Sequence, residues 1–263
     1  VTVNGSEFYN NTGYYGGVIG SAGGNVYNPN CTVYINNSYF HDNNGTKMGG
    51  VIYNNYAYVS MVNSNFTNNT ATVNSGVIYI NQGYMAAYKS IFINNTAGSA
   101  GVSYASTSVN YDEHDGNTAD FYNIKYNYCI FLNNTATTTG EPADIYAYNF
   151  DNLDANYNWW GNNTKPDTNL VTSNVNTTYW IIMNTPSLTK LDTSASKNIT
   201  VDFNHYTDGT TNSTVPKGYG IPDGLTVNFQ VTNGTITPTS GVTKNGNVTA
   251  EYTAPSTGVN DLI

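Results

Sequence analysis

Apolar and polar positions along residues 1–165 recur as a block, with no helical period. An aromatic residue anchors each copy: Phe8, Phe40, Phe66, Phe92, Phe131 and Trp160. Seven positions earlier stand Val1, Val33, Val59, Met85, Ile124 and Leu153. Five earlier stand Val3, Ile35, Met61, Ala87, Tyr126 and Ala155. A spacing of two between mostly apolar rows is the strand period. Two before the anchor come Ser6, Ser38, Ser64 and Ser90, then Cys129 and Asn158. Two after it come Asn10, Asp42, Asn68, Asn94, Asn133 and Asn162, and three after it every copy has Asn. A second anchor row, Val18, Val51, Val77, Val102 and Ile145, follows a glycine in its first four members. Phe40, Phe66 and Phe92 are 26 residues apart.

A 26-residue unit with two or three short strands and turn-forming Asn and Gly between them predicts one coil of a parallel β-helix. Residues 1–183 then hold about six coils. Stacked at ~4.8 Å, they form a column about 25–30 Å tall, with like residues on like. The Phe and Ser rows face inward. The paired asparagines turn a corner, where Asn tolerates left-handed angles, and their amides bond the coils above and below. Tyr53, Tyr79 and Tyr104 share parity with the Val anchors and are expected to pack inward. The rows flanking the anchor point outward. Extra residues at 20–32 and 105–122 must leave the column as loops. Cys31 and Cys129 lie three coils apart, out of disulfide reach, and are read as free thiols.

Near residue 184 the pattern changes. Stretches 197–206, 225–232, 234–237 and 247–253 alternate as strands between Gly- and Asn-rich turns, the pattern of a β-sandwich. The expected fold is therefore all-β, a solenoid followed by a sandwich. The chain opens on repeat sequence and ends on what reads as the start of a strand. It is taken as a piece of a longer protein, truncated at the N-terminus and lacking the last sandwich strand.

Composition narrows the function. The 263 residues include 44 Asn and 24 Tyr, eight Lys and no Arg, with a net charge of −9. Phosphate neutralisation needs clustered cations, so nucleic acid and anionic membranes are set aside as partners. No apolar run approaches the ~20 residues of a membrane span.

Phe-x-x-Asn, as in Phe40–Asn43 and Phe66–Asn69, alternates with Gly-Gly-Val-Ile at Gly16–Ile19 and Gly49–Ile52. This resembles the repeat pair of polymorphic outer-membrane-type adhesins. The Asn- and Tyr-rich character and NYNWWGNN at 156–163 look most like adhesin-like surface proteins of methanogenic archaea. The resemblance covers about 165 residues. It implies a right-handed parallel β-helix of pectin-lyase-like form, an extracellular or envelope location, and adhesion to another cell through protein or glycan. The run IPDGLTVNFQVTNGTITP with KNGNVTAEYTAP looks like an invasin- or intimin-type (Big-1) Ig-like module over 184–263.

Candidate sites follow. Outward aromatics Tyr34, Tyr39, Tyr58, Tyr88 and Trp159 form the candidate ligand surface, since Tyr with Asn suits low-charge recognition. Asp112, Asp115 and Asp120 in the second loop are the candidate Ca²⁺ ligands, and no other cofactor is expected. Among 15 sequons, Asn198, Asn212, Asn233 and Asn247 are the glycosylation candidates. The corner sequons at Asn10, Asn68, Asn94, Asn133 and Asn162 are assigned instead to the amide ladder. No catalytic residue is assigned. An extracellular polysaccharide lyase or glycoside hydrolase is the alternative. Lyase chemistry wants Arg or Lys beside metal-binding acids, and nothing selects the Asp112/Asp115 or Asp151/Asp154 pairs for hydrolysis. An inert envelope stalk is the second alternative. The piece is expected to be monomeric.

Overall fold

Stacked parallel strands form four sheets that run the length of the repeat region in the computed structural model, which describes residues 1–22, 31–106, 124–148, 153–186 and 191–256. The first wall joins Thr2–Asn4, Thr32–Asn36, Tyr58–Val62, Tyr84–Tyr88, Ile124–Asn127, Leu153–Asp154 and Val175–Asn176. The second joins Glu7–Tyr9, Tyr39–His41, Asn65–Thr67, Ile91–Ile93 and Ile130–Leu132. Short strands such as Asn44–Met48 and Thr70–Ala71 make the third wall, and Ile52–Asn55 and Ile78–Asn81 lie in the fourth. Each of the first five coils thus carries four strands, more than the two or three read from the sequence. The strands of the third wall fall as short as two residues, too few for alternation to register. No helix occurs among the described residues, and the fold is all-β with a parallel solenoid architecture.

Register is set by identity of position. Phe40, Phe66 and Phe92 pair directly, and Phe8 and Phe131 extend the row. The rings from Phe8 to Trp160 stack continuously, with centroids 5.0, 5.1, 5.2, 5.2 and 4.5 Å apart. Phe40, Phe66, Phe92 and Phe131 are fully buried. In the serine row each hydroxyl donates to the carbonyl two residues back, as from Ser64 to Val62 O at 2.9 Å. Ser38, Ser64 and Ser90 Oγ also accept the serine N–H of the coil before, as Ser64 Oγ does from Ser38 at 3.2 Å. Both cysteines are free, and burial pushes the Cys129 thiol up to about 12.

The paired asparagines divide the labour that the sequence reading gave to both. The first of each pair takes the left-handed turn, with φ of 54°, 55°, 56° and 53° at Asn10, Asn68, Asn94 and Asn133, and it is exposed. The second makes the ladder. Asn11, Asn43, Asn69 and Asn95 each donate Nδ2 to the Oδ1 of the next at 3.0 Å. The same Oδ1 receives the backbone N–H from the coil before. The corner sequons therefore open on exposed asparagines, and their assignment to the ladder is corrected. After Asn68, Asn94 and Asn133 the bonded and buried residue is the next one, Asn69, Asn95 and Asn134.

Side-chain parity also resets at the glycine corner. Val51 N and Ile52 N both donate to Val77 O, at 3.0 and 2.8 Å, so two residues oppose one, as in a bulge. Val51 and Ile52 are both fully buried as a result. Tyr53, one residue on, faces outward, and so do Tyr79 and Tyr104. The expectation that this tyrosine row packs inward is wrong for that reason. Ser75 and Ala100 hold the turn at φ 65° and 56°, where earlier coils use Gly16 and Gly49 at 72° and 68°.

The remaining strands are antiparallel. Ser196–Thr207 lies between Trp180–Asn184 and Asn247–Thr253, with Thr235–Thr237 beyond, and Thr226–Asn228 pairs with Ser240–Val242. The expected boundary at 183/184 falls inside Trp180–Asn184. That strand starts with a parallel bridge from Trp180 to Asn158 of the column and then joins the antiparallel sheet. Asn163 does not enter the amide ladder. It bonds Met183 at both main-chain groups, 2.8 and 2.6 Å, and so ties the two parts together.

Candidate functional site

The outer face of the second wall changes character from coil to coil. Its early rungs carry Glu7, Tyr9, Tyr39, His41, Asn65 and Thr67, and its later rungs Ile91, Ile93, Ile130, Leu132 and Trp159. The antiparallel part packs on the apolar rungs. Ile91, Ile130 and Trp159 share a buried cluster with Val201, Phe203, Val215, Leu225 and Val227. Trp159 meets Phe203 edge-to-face at 5.0 Å, and Tyr157 meets Tyr206 at 5.0 Å. A cavity of about 110 Å³ remains between Ile91, Ile93, Ile130, Leu132 and Leu225. That is well short of the ~300 Å³ at which ligand pockets begin.

This contact reassigns two of the five aromatics expected on open walls. Trp159 is 5% exposed. Tyr88 is half-buried at the same seam, edge-on to Tyr128 and Tyr219 at 5.7 and 6.4 Å. The other three stay open on two walls. Tyr34 and Tyr58 lie on the first wall with centroids 6.4 Å apart, and Tyr84 follows 6.5 Å beyond Tyr58. Tyr39 lies on the second wall, stacked on His41 at 4.4 Å, and its Oη accepts Thr67 Oγ1–H at 2.8 Å. His41 also bonds Asp42 at 2.7 Å and Glu7 at 3.0 Å. These carboxylates, Asp42 foremost, hold its pKa above the ordinary imidazole value.

A further aromatic row is one that parity reasoning turned inward. On the fourth wall Tyr53, Tyr79, Tyr104 and Tyr146 stack face to face at 5.4, 5.6 and 4.8 Å, with interplanar angles of 6°, 14° and 4°. Tyr15 leans on Tyr53 at 4.7 Å, and Tyr148 continues beyond Tyr146 at 6.3 Å. Burial, followed by the neighbouring phenols, pushes the Tyr104 hydroxyl up to about 12. Asn81 Nδ2 donates to Asn55 Oδ1 at 2.8 Å beside it. The signal for this row was a Tyr two residues after Val51, Val77 and Val102, which the bulge at the corner turns outward.

Asp112, Asp115 and Asp120 lie outside the described residues, as do most of both long loops. Among the described residues no group of three His, Cys, Asp or Glu gathers at metal-binding distance. Asn198, Asn212 and Asn233 are exposed, and Asn247 is half-buried with Nδ2 on Asn245 O at 2.8 Å.

No protein-family model matches the chain, and comparison with curated proteins and with solved structures returns no significant match.

Proposed function

We propose that the chain is part of an adhesin-like surface protein that binds without catalysis, displaying an aromatic and amide wall to a protein or glycan on another cell. In this reading the column is a right-handed β-helix of pectin-lyase-like form, and residues 184–263 are an Ig-like module. The observation that carries it is the tyrosine stack from Tyr15 through Tyr53, Tyr79 and Tyr104 to Tyr146. Its rings are held rigid by one another, so little side-chain entropy is lost when a partner docks. Hydroxyls and amides along it offer hydrogen bonds without charge, the composition of adaptable recognition surfaces.

The experiment is retention of the purified protein on a glycan array and on intact cells. Wild type is expected to bind, and the double variant Tyr79→Ala, Tyr104→Ala to lose retention while still folded. Retention equal to that of a blank surface overturns the reading. So does release of reducing or unsaturated sugar from any glycan tested, which would make the protein an enzyme.

A further inference from the structure

The tyrosine stack hides the faces of its own rings, because near-parallel rings about 5 Å apart cover each other. At its first end the arrangement differs. Tyr14 stands at 76° to Tyr15 with centroids 4.7 Å apart, outside the stack, and is 60% exposed. Lys47 places Nζ 5.6 Å from the centroids of both Tyr14 and Tyr15. The ammonium reaches Tyr15 Oη at 3.5 Å, the outer limit of a hydrogen bond and easily exchanged. Among the described residues it meets no carboxylate.

The distribution of charge makes this cation available. Residues 1–111 contain only two acids, Glu7 and Asp42, and both bond His41. The same segment holds two lysines, so the whole net charge of −9 is carried by residues after 111. The segment that builds the first coils is thus neutral within an acidic sequence, and exposed charges act only over ~8–10 Å. An anion kept from the rest of the chain is free to approach here.

We infer that Tyr14, Tyr15, Lys47 and Tyr53 form a binding site for a carboxylated sugar, whose ring lies against Tyr14 and whose carboxylate replaces Tyr15 Oη on Lys47. The inference rests on the binding reading above and names its ligand class. One point-like ammonium among three phenols suits one carboxylate among many hydroxyls. An acidic peptide, with charge at successive residues, would find a single cation.

The test titrates the protein at low salt with tetragalacturonate and its methyl ester, sialyllactose and lactose, and a pentaglutamate peptide. The two acidic sugars are expected to bind and their neutral partners to bind at least about tenfold more weakly, as for loss of one charged hydrogen bond. Lys47→Gln should lower acidic-sugar affinity by a similar factor, Lys47→Arg should restore most of it, and Tyr14→Ala should weaken it. Unchanged thermal unfolding verifies that these substitutions leave the fold intact. The inference is overturned if neither acidic sugar binds, if the ester binds as tightly as the acid, if Lys47→Gln stays within twofold, or if pentaglutamate binds equally well. Binding of neutral glycans that Tyr79→Ala, Tyr104→Ala abolishes, without any preference for acid, would remove this inference and leave the broader reading standing.

Discussion

Asn134 donates Nδ2 to Asp144 Oδ1 at 2.8 Å, so a ladder of four amide-to-amide bonds ends on a buried carboxylate. Every amide in the ladder points its N–H toward that end. Dipoles aligned this way favour negative charge at their N–H end, as at a helix N-terminus. Burial nonetheless dominates and raises the Asp144 pKa to about 7, with the Asn134 bond working in the opposite direction.

The pH dependence follows. In the unfolded chain Asp144 titrates near ~3.9. Between roughly pH 4 and 7 the folded chain holds a proton that the unfolded chain has lost, so stability declines as pH rises and levels off above 7. The slope is at most about 1.4 kcal/mol per pH unit. His41, raised by Asp42 and Glu7, adds a decline of the same sign just above its ordinary value. Asp208, held down to about 2 by the Thr210 and Thr211 donors, acts only at lower pH. Urea midpoints for wild type should be higher at pH 5 than at pH 8, and Asp144→Asn should flatten most of the difference. An equal difference in the variant would place the titration elsewhere.

Asn69→Ala tests the ladder itself. Asn69 Oδ1 accepts from both the N–H and the Nδ2 of Asn43, and Asn69 Nδ2 donates to Phe40 O and Asn95 Oδ1. Removing the amide leaves two buried donors without an acceptor, at ~1–3 kcal/mol for an unsatisfied group. Chemical denaturation should show a loss of at least ~2 kcal/mol, whereas the exposed neighbour in Asn68→Gly should cost far less.

Phe66→Ala opens the middle of the aromatic stack. Phe66 is fully buried between Phe40 and Phe92, at 5.1 and 5.2 Å. Truncating a buried Phe costs ~3–5 kcal/mol, and the stiff coils above and below limit collapse of the cavity. A measured loss under ~1 kcal/mol would contradict the burial of this row.

Gly50→Ala tests the glycine corner from the opposite direction, by adding volume. A Cβ there overlaps Gly76 O and presses on Thr70 O of the next coil. The clash is with backbone on a repeating 4.8 Å step, so relief must shift a whole coil. A loss of ~1–3 kcal/mol is expected from the denaturation midpoint.

Trp159 and Phe203 hold the two parts of the fold together. A double-mutant cycle with alanine at each should give a coupling of about 0.5–1.5 kcal/mol, as for buried aromatic pairs. Zero coupling would mean that the edge-to-face contact contributes nothing to the packing.

The repeat was legible because a stacked coil imposes the same burial on every copy of a position. Phe66, Ser64 and Asn69 could each be read by comparison with their counterparts 26 residues away. The outward rows were harder. Ile91, Ile93, Ile130 and Trp159 occupy the rows flanking the anchor, the same outward rows as Tyr9 and Tyr39. Apolar residues at outward positions in consecutive coils instead signal a covered wall, and the antiparallel part supplies the cover. Tyr53 and its copies were misplaced because alternation assumes an unbroken strand. The shared acceptor Val77 O breaks it between Val51 and Ile52.

The sequence by itself determined the coil, its inward rows and the residue types at its turns, since these depend on contacts between like positions one period apart. Tertiary structure alone decided which face of each wall is free. That depends on where the antiparallel part docks and on bulges such as Val51 and Ile52 sharing Val77 O, which alternation along a strand does not reveal. Among the described residues no element packs on the wall bearing Tyr15 and Tyr53, while the one bearing Trp159 is covered by Phe203.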